Sequence, residues 1–256
     1  MGKRKVGDIM NRRNSLEGFA VVSILLIPVI LGNPLAGAGQ QLPQMDQASR
    51  LKEHGKLYAN YEMISSNLNE LASQGTGDIE LNLVTYGTWA LGSSTPAHPY
   101  PDPFLEAFAS SADAVVVGTT QSSVSALSEH QSFIFTDWTI AVNEVIKNNS
   151  ASSIEVGAQI IVTRPGGTLV LNGRNVKINM ASFLPFRQNR QYVLFLKYIP
   201  QTGAYMGLQD QTFELFQHAV VKMNPGSGGV VMENKQDPNA FLVEVRSAVA
   251  ASSSKQ

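Results

Sequence analysis

The chain contains no cysteine, so it can form neither disulfides nor thiolate metal sites. It is also poor in charge, with 15% Asp, Glu, Lys and Arg in 256 residues. Beyond residue 38 no Lys/Arg run marks a docking surface for nucleic acid or an anionic membrane. Catalytic signatures are missing as well. There is no G-x-S-x-G elbow, no S-x-x-K and no H-E-x-x-H, and Gly226-Ser227-Gly228-Gly229 lacks the lysine of a phosphate-binding loop. Small cystine-stapled folds are therefore excluded. A domain without disulfides must rest on its core, which a chain of this length can build.

Against these absences stands an ordered N-terminal segment. Residues 1–38 begin with Lys3, Arg4, Lys5, Arg12 and Arg13, continue with an apolar stretch from Phe19 to Leu31, and end in Ala36-Gly37-Ala38. A basic start, a short apolar run and a small-residue exit form an export signal, placing the protein in the periplasm or outside the cell. The alternative is a retained anchor through residues 18–38, since about 20 apolar residues cross a bilayer. Asn33 and Pro34 interrupt that run and favour cleavage near Ala38. Cleavage removes five basic and two acidic residues and takes the net charge from −1 to −4.

Residues 39–45 read as a linker. Residues 46–74 carry a helical stripe of Leu51, Tyr58, Ile64, Leu68 and Leu71, predicting an amphipathic helix ended at Gly75. His54-Gly55 in its middle argues against sustained coiled-coil heptads. Residues 75–111 hold a short strand at Ile79, Leu81 and Leu83, a loop with Pro96, Pro99, Pro101 and Pro103, and one or two helical turns near Phe104–Phe108.

Strand signals crowd residues 112–223. They fall at Ala114–Val117, Phe133–Val145, Ile154–Val156 continuing into Ile160–Thr163, Thr168–Leu171, Tyr192–Tyr198, Ala204–Leu208 and Thr212–Phe216. A change of parity between Phe135 and Trp138 predicts a bulge near Thr136-Asp137. Pro165-Gly166 suits the centre of a type II turn. Tyr192–Leu196 is apolar on both parities and should be the most buried strand. Residues 224–236 form a Gly-rich joint. Residues 237–256 form a final helix, capped by Asp237 with Pro238 in its first turn, and a disordered tail from Ser252. The expected fold is mainly β with flanking helices (α+β), a compact β-barrel preceded by an amphipathic helix and followed by a short one.

The segments ADAVVVGTT, FIFTDWTIAVNEVIK, IIVTRPGG, RQYVLFLKYI and TFELF, spanning about residues 112–217, carry a resemblance. They resemble a domain recurring in exported bacterial proteins of unknown function, and are distantly similar to the OB-like barrel of the netrin/tissue-inhibitor-of-metalloproteinase superfamily. The resemblance implies an OB-like barrel for under half of the chain. Inhibition in that superfamily uses an N-terminal cysteine to chelate a protease's zinc. With no cysteine here, that activity and its site residues do not transfer.

His54, His98, His130 and His218 show no metal spacing, and no cofactor or metal site is expected. His130 beside Glu129 is the most suggestive, yet reads most simply as a solvated loop histidine. Asp78 and Glu80 share one face of a strand, as paired catalytic acids would, and more simply form its wet face. The aromatics Phe133, Phe135, Trp138, Tyr192, Phe195 and Tyr198 fall inside apolar runs, so they read as core and not as stacking platforms for nucleic acid. Arg164, Arg174, Lys177, Arg187 and Arg190 fall close together in sequence. If they converge, they make a binding site for a small anionic ligand; otherwise they are scattered surface charges.

The sequence thus points to an exported, non-enzymatic binding or interaction module, whose partner is an unknown protein or a small anionic ligand. The alternatives are an exported hydrolase with a site assembled from scattered residues, and a membrane-tethered accessory protein if the N-terminal segment is retained.

Overall fold

The computed structural model describes residues 45–59, 67–83, 105–216, 219–222, 233–234 and 237–254. All of them lie in the compact unit Gln41–Gln256. The export segment, Ile64, the proline-rich loop, residues 224–232 and 235–236 of the Gly-rich joint, His98 and His218 lie outside the described residues.

The fold is mainly β, with two sheets and a few helices. In chain order the elements are α1 (Gln47–Leu57), α2 (Leu68–Ser73), β1 (Ile79–Leu83), α3 (Leu105–Ser111), β2 (Ala114–Leu127) and β3 (Ile134–Lys147). They continue with β4 (Gln159–Pro165), β5 (Gly167–Leu171), β6 (Arg174–Met180), β7 (Gln191–Ile199), β8 (Ala204–Leu215), β9 (Val220–Lys222), β10 (Glu233–Asn234) and α4 (Pro238–Ser253). The small sheet has the order β1-β6-β5, and the large one β10-β9-β8-β4-β3-β2-β7. β8 also pairs with β7, so the ladder β2-β3-β4-β8-β7 returns to its first strand, although the ring is not evenly disposed about one axis.

Three apolar clusters fill the spaces between these layers. β7 divides two of them, with Tyr192, Val193, Leu194, Phe195 and Leu196 all fully buried, as its two-sided apolar run predicts. Val193 and Phe195 pack with Phe213 against Leu105 and Phe108 of α3 and Phe241 and Val245 of α4. Tyr192, Leu194 and Leu196 face the other way, onto Ile140, Val142, Val162 and Tyr205. In the third cluster Tyr58, Leu68 and Ala72 cover Phe133, Phe135 and the inner face of β6.

The helical stripe over 46–74 resolves into two helices. Asp46 caps α1 by accepting from the Ser49 N–H at 3.0 Å, and Tyr58 closes it. Asn67 caps α2, accepting from Asn69 N–H at 2.8 Å. In α1 the residues wholly buried are His54 and Gly55, whereas Leu51 is half-buried. A Cβ at Gly55 would lie 3.3 Å from the Leu127 carbonyl oxygen, so the glycine sets how closely α1 approaches β2.

The bulge expected near Thr136-Asp137 is not there. β3 keeps continuous register through this stretch with both β2 and β4. The change of parity is instead a change of covered face, because Phe135 meets the helices while Trp138 and Ile140 meet the interior. The register shifts lie farther along, at Val115/Val116, Val117/Gly118 and Thr120/Ser122. Ile154–Val156 lies outside β4, the two segments expected over 204–216 are one strand, and β6 went unrecognised in the strand pattern. Ser252, expected in a loose tail, is buried within α4.

Candidate functional site

β4 ends where its chain must leave the large sheet. In register, Thr136 of β3 faces Arg164 and Phe135 faces Pro165, whose missing N–H cannot extend a ladder. The chain then turns through Gly166 at φ 88° and Gly167 at φ 151° and enters the small sheet as β5. Gly166 has the positive φ that the second centre of a type II turn requires. A Cβ on Gly167 would sit 2.2 Å from Thr136 Oγ1 and 2.7 Å from Ser125 Oγ, so only glycine lets the backbone cross here.

This crossover leaves a cavity of about 340 Å³ between the sheets. Ser123 and Ser125 of β2 and Thr136 and Trp138 of β3 line one side. Lys177–Met180 of β6 line the other, and Phe183, Leu184, Pro185 and Phe186 close an end. The Ser125 and Thr136 hydroxyls are committed, since Thr136 donates to the Gly166 carbonyl at 2.7 Å and lies 2.9 Å from Ser125 Oγ. Trp138 meets Phe186 edge to face, 5.4 Å between ring centroids.

Arg164 gives the cavity its charge. The residue is 3% exposed and no carboxylate among the described residues pairs with it. Its guanidinium lies 4.2 Å from the Phe186 ring centroid and 5.4 Å from that of Phe183. Nη1 donates to the Leu184 carbonyl at 2.9 Å, whereas Nε is buried without an acceptor. Burial pulls its pKa down to about 10, which still leaves a cation at neutral pH. An ion removed from water costs several kcal/mol even after relaxation. Two aromatic faces return about 0.5–2 kcal/mol each. One carbonyl bond adds about 1.5–3 kcal/mol, so the returns are of the same order as the desolvation and leave part of the guanidinium's bonding capacity unused.

The five basic residues singled out in the sequence do not converge on one surface. Arg164 and Lys177 share the cavity, with Lys177 half-exposed and its Nζ 3.0 Å from Glu80 Oε1. Arg174 instead caps α2, donating to the Leu71 and Ala72 carbonyls at 3.3 and 3.1 Å and to the Gly77 carbonyl. Arg187 donates to Glu214 Oε2 at 2.7 Å, and Arg190 Nε lies 3.9 Å from Glu214 Oε1. Both guanidiniums sit over the Phe216 ring, at 5.0 and 5.3 Å. Glu214 is fully buried, and in register it faces Tyr192, whose phenol burial pushes up to about 12.

Asp78 and Glu80 serve the β1–β6 pairing. Asp78 accepts from the Asn175 backbone and side chain at 3.1 Å each, and Glu80 from Lys177 and Asn179. These bonds hold both carboxyls below their ordinary range. His130 and Glu129 are exposed. Among the described residues no three His, Asp or Glu side chains form a metal-ion cluster.

A second polar cluster escaped the sequence reading because its members lie far apart in the chain. His54 Nδ1 is 2.8 Å from Asp137 Oδ1 and His54 Nε2 is 2.9 Å from Thr202 Oγ1. Arg50 Nε donates to Asp137 Oδ2 at 3.1 Å. The signal that pointed here was Gly55, the small residue beside His54 that lets the helix come close. The cluster fastens α1 to β3 and to the β7–β8 turn. Its order is also that of an acyl-transfer triad. However, the N–H groups of Thr202 and Gly203 both donate to the Ile199 carbonyl, so neither is free to bind an oxyanion.

No family model matches this chain, and no curated protein matches it.

Proposed function

We propose that the chain is an exported, non-enzymatic binding module, built on an OB-like β-barrel, that takes a small anionic ligand in the cavity beside Arg164. The closed ladder of β2, β3, β4, β8 and β7 supports the barrel, and a barrel mouth is a common place for a ligand. The composition of residues 1–38 supports export. Arg164 carries the functional reading: a buried cation without a carboxylate, beside a cavity, is a site that lacks its counter-ion.

The test is thermal unfolding of the wild type and Arg164→Met. If the cation serves a ligand, the apolar replacement leaves the melting temperature unchanged or raises it. Carboxylates and phosphates added to the wild type then raise its melting temperature, and they do nothing to the variant. A marked loss of stability in Arg164→Met, with no anion effect on the wild type, makes Arg164 structural and ends the proposal. Export is tested by mass spectrometry of the mature N-terminus. A start near Gly39 supports it, and an intact Met1 or Gly2 favours the tethered alternative.

A hydrolase is the second reading, resting on the Asp137–His54–Thr202 chain. Covalent labelling by a fluorophosphonate that disappears in Thr202→Ala supports it. A wild type that takes up no label removes it.

A further inference from the structure

We infer that the ligand is a monocarboxylate with a compact aliphatic or aromatic body, its carboxylate on the Nη2 donors of Arg164. The inference rests on the anion-binding reading of the cavity. A guanidinium N–H donates a charge-assisted bond to a carboxylate oxygen. In Arg164 the Phe183 and Phe186 rings lie against the guanidinium, Nη1 is bound to the Leu184 carbonyl, and Nε is sealed from solvent. What is left is Nη2, for which the described residues supply no acceptor.

Charge balance narrows the class further. Arg164 is the cavity's one cation without a carboxylate among the described residues, because the charge of Lys177 is matched by Glu80 at 3.0 Å. A single negative charge neutralises the site. A phosphate dianion would bring a second charge that must draw Lys177 away from Glu80. The hydroxyls of Ser125 and Thr136 are already bonded to each other. Trp138, Met180 and Phe186 give the wall an apolar stretch for the ligand's body, beside the polar Ser123, Thr168 and Asn179. The volume of about 340 Å³ lies at the small end of ligand sites, which run from about 300 to 1,000 Å³, and suits one ring or a short chain.

The test uses the full chain, titrated by calorimetry with cyclohexanecarboxylate, octanoate, inorganic phosphate and uncharged cyclohexanecarboxamide. Quenching of Trp138 fluorescence, assigned by its loss in Trp138→Phe, reports occupancy of the cavity. A carboxylate should bind at least tenfold tighter than both the carboxamide and phosphate. Arg164→Met should weaken it at least tenfold, and Lys177→Met should change it less than twofold. Phosphate binding as tightly as the carboxylates, with the same dependence on Arg164, overturns the monocarboxylate and leaves the anion site standing. Equal binding of acid and amide overturns both, and so does a panel in which nothing binds. The comparison of acid with amide needs no variant, so it decides even if Arg164→Met does not fold.

Discussion

His54 Nδ1 and Asp137 Oδ1 lie 2.8 Å apart across 83 positions of sequence, and both side chains are almost wholly removed from water. A carboxylate only accepts, so Nδ1 carries the proton of this bond. The pair joins the first helix to the first part of β3, and Arg50 supplies the positive charge on the other carboxylate oxygen. Replacing His54 with Phe takes one partner from a buried carboxylate and strands the Thr202 hydroxyl. We expect a loss of about 2–4 kcal/mol in urea unfolding. Asp137→Asn should cost a similar amount, and the double variant much less than the sum. Additive losses would show that the two residues act separately.

Gly167 is the position where backbone geometry is least negotiable. An added Cβ would overlap Thr136 Oγ1, at 2.2 Å, and break the hydroxyl pair that forms part of the cavity wall. Its φ of 151° adds strain for any other residue. Gly167→Ala should lower stability by about 2–3 kcal/mol. Gly173, which has φ 77° but open space around it, should lose only about 1 kcal/mol on the same change. Chemical denaturation of the two variants side by side separates collision from backbone strain. Equal losses would mean that the contact at Gly167 relaxes freely.

Tyr192 gives a pH signature at the alkaline end. Burial raises its pKa from 10.0 to about 12, so the folded state holds the phenolic proton more tightly than the unfolded chain does. The stability this represents is fully present below pH 10 and drains away as pH rises from 10 towards about 12. Up to about 3 kcal/mol is at stake. Tyr192→Phe should flatten the fall of stability across this interval while losing the bond from the Arg187 N–H at pH 7. Identical alkaline slopes for the two proteins would show that Tyr192 ionises as freely folded as unfolded.

Much of the architecture was legible because local pattern and tertiary burial agree. β7 is apolar on both parities and is covered on both faces, and Asp237-Pro238 starts α4 as expected. β6 alternates regularly, with Val176, Ile178 and Met180 buried between Asn175, Lys177 and Asn179, so its strand signal was present in the sequence. Asn172-Gly173, both at positive φ, marks the β5–β6 hairpin and was a further local signal. For the site, proximity in sequence was a poor guide. Arg164 and Lys177 meet at the cavity only because the chain changes sheets between them. Arg187 and Arg190 converge on Glu214, a residue of β8 that no local pattern links to them.

That convergence leads to the last prediction. Glu214 is fully buried, and Arg187 and Arg190, both about half exposed, reach it from the surface. The bond from Arg187 is the shorter, at 2.7 Å against 3.9 Å for Arg190. Removing Arg187 leaves the carboxylate with a distant cation and an oxygen, Oε1, that has no hydrogen bond. Arg187→Ala should therefore destabilise by about 2–3 kcal/mol, whereas Arg190→Ala should cost less than about 1 kcal/mol. Glu214→Gln keeps the shape and removes the buried charge. In that background Arg187→Ala should cost much less than in the wild type, giving a coupling energy above about 1 kcal/mol in a double-mutant cycle. A coupling near zero would mean that Arg187 stabilises the fold through Phe216, which it covers at 5.0 Å, and not through the carboxylate.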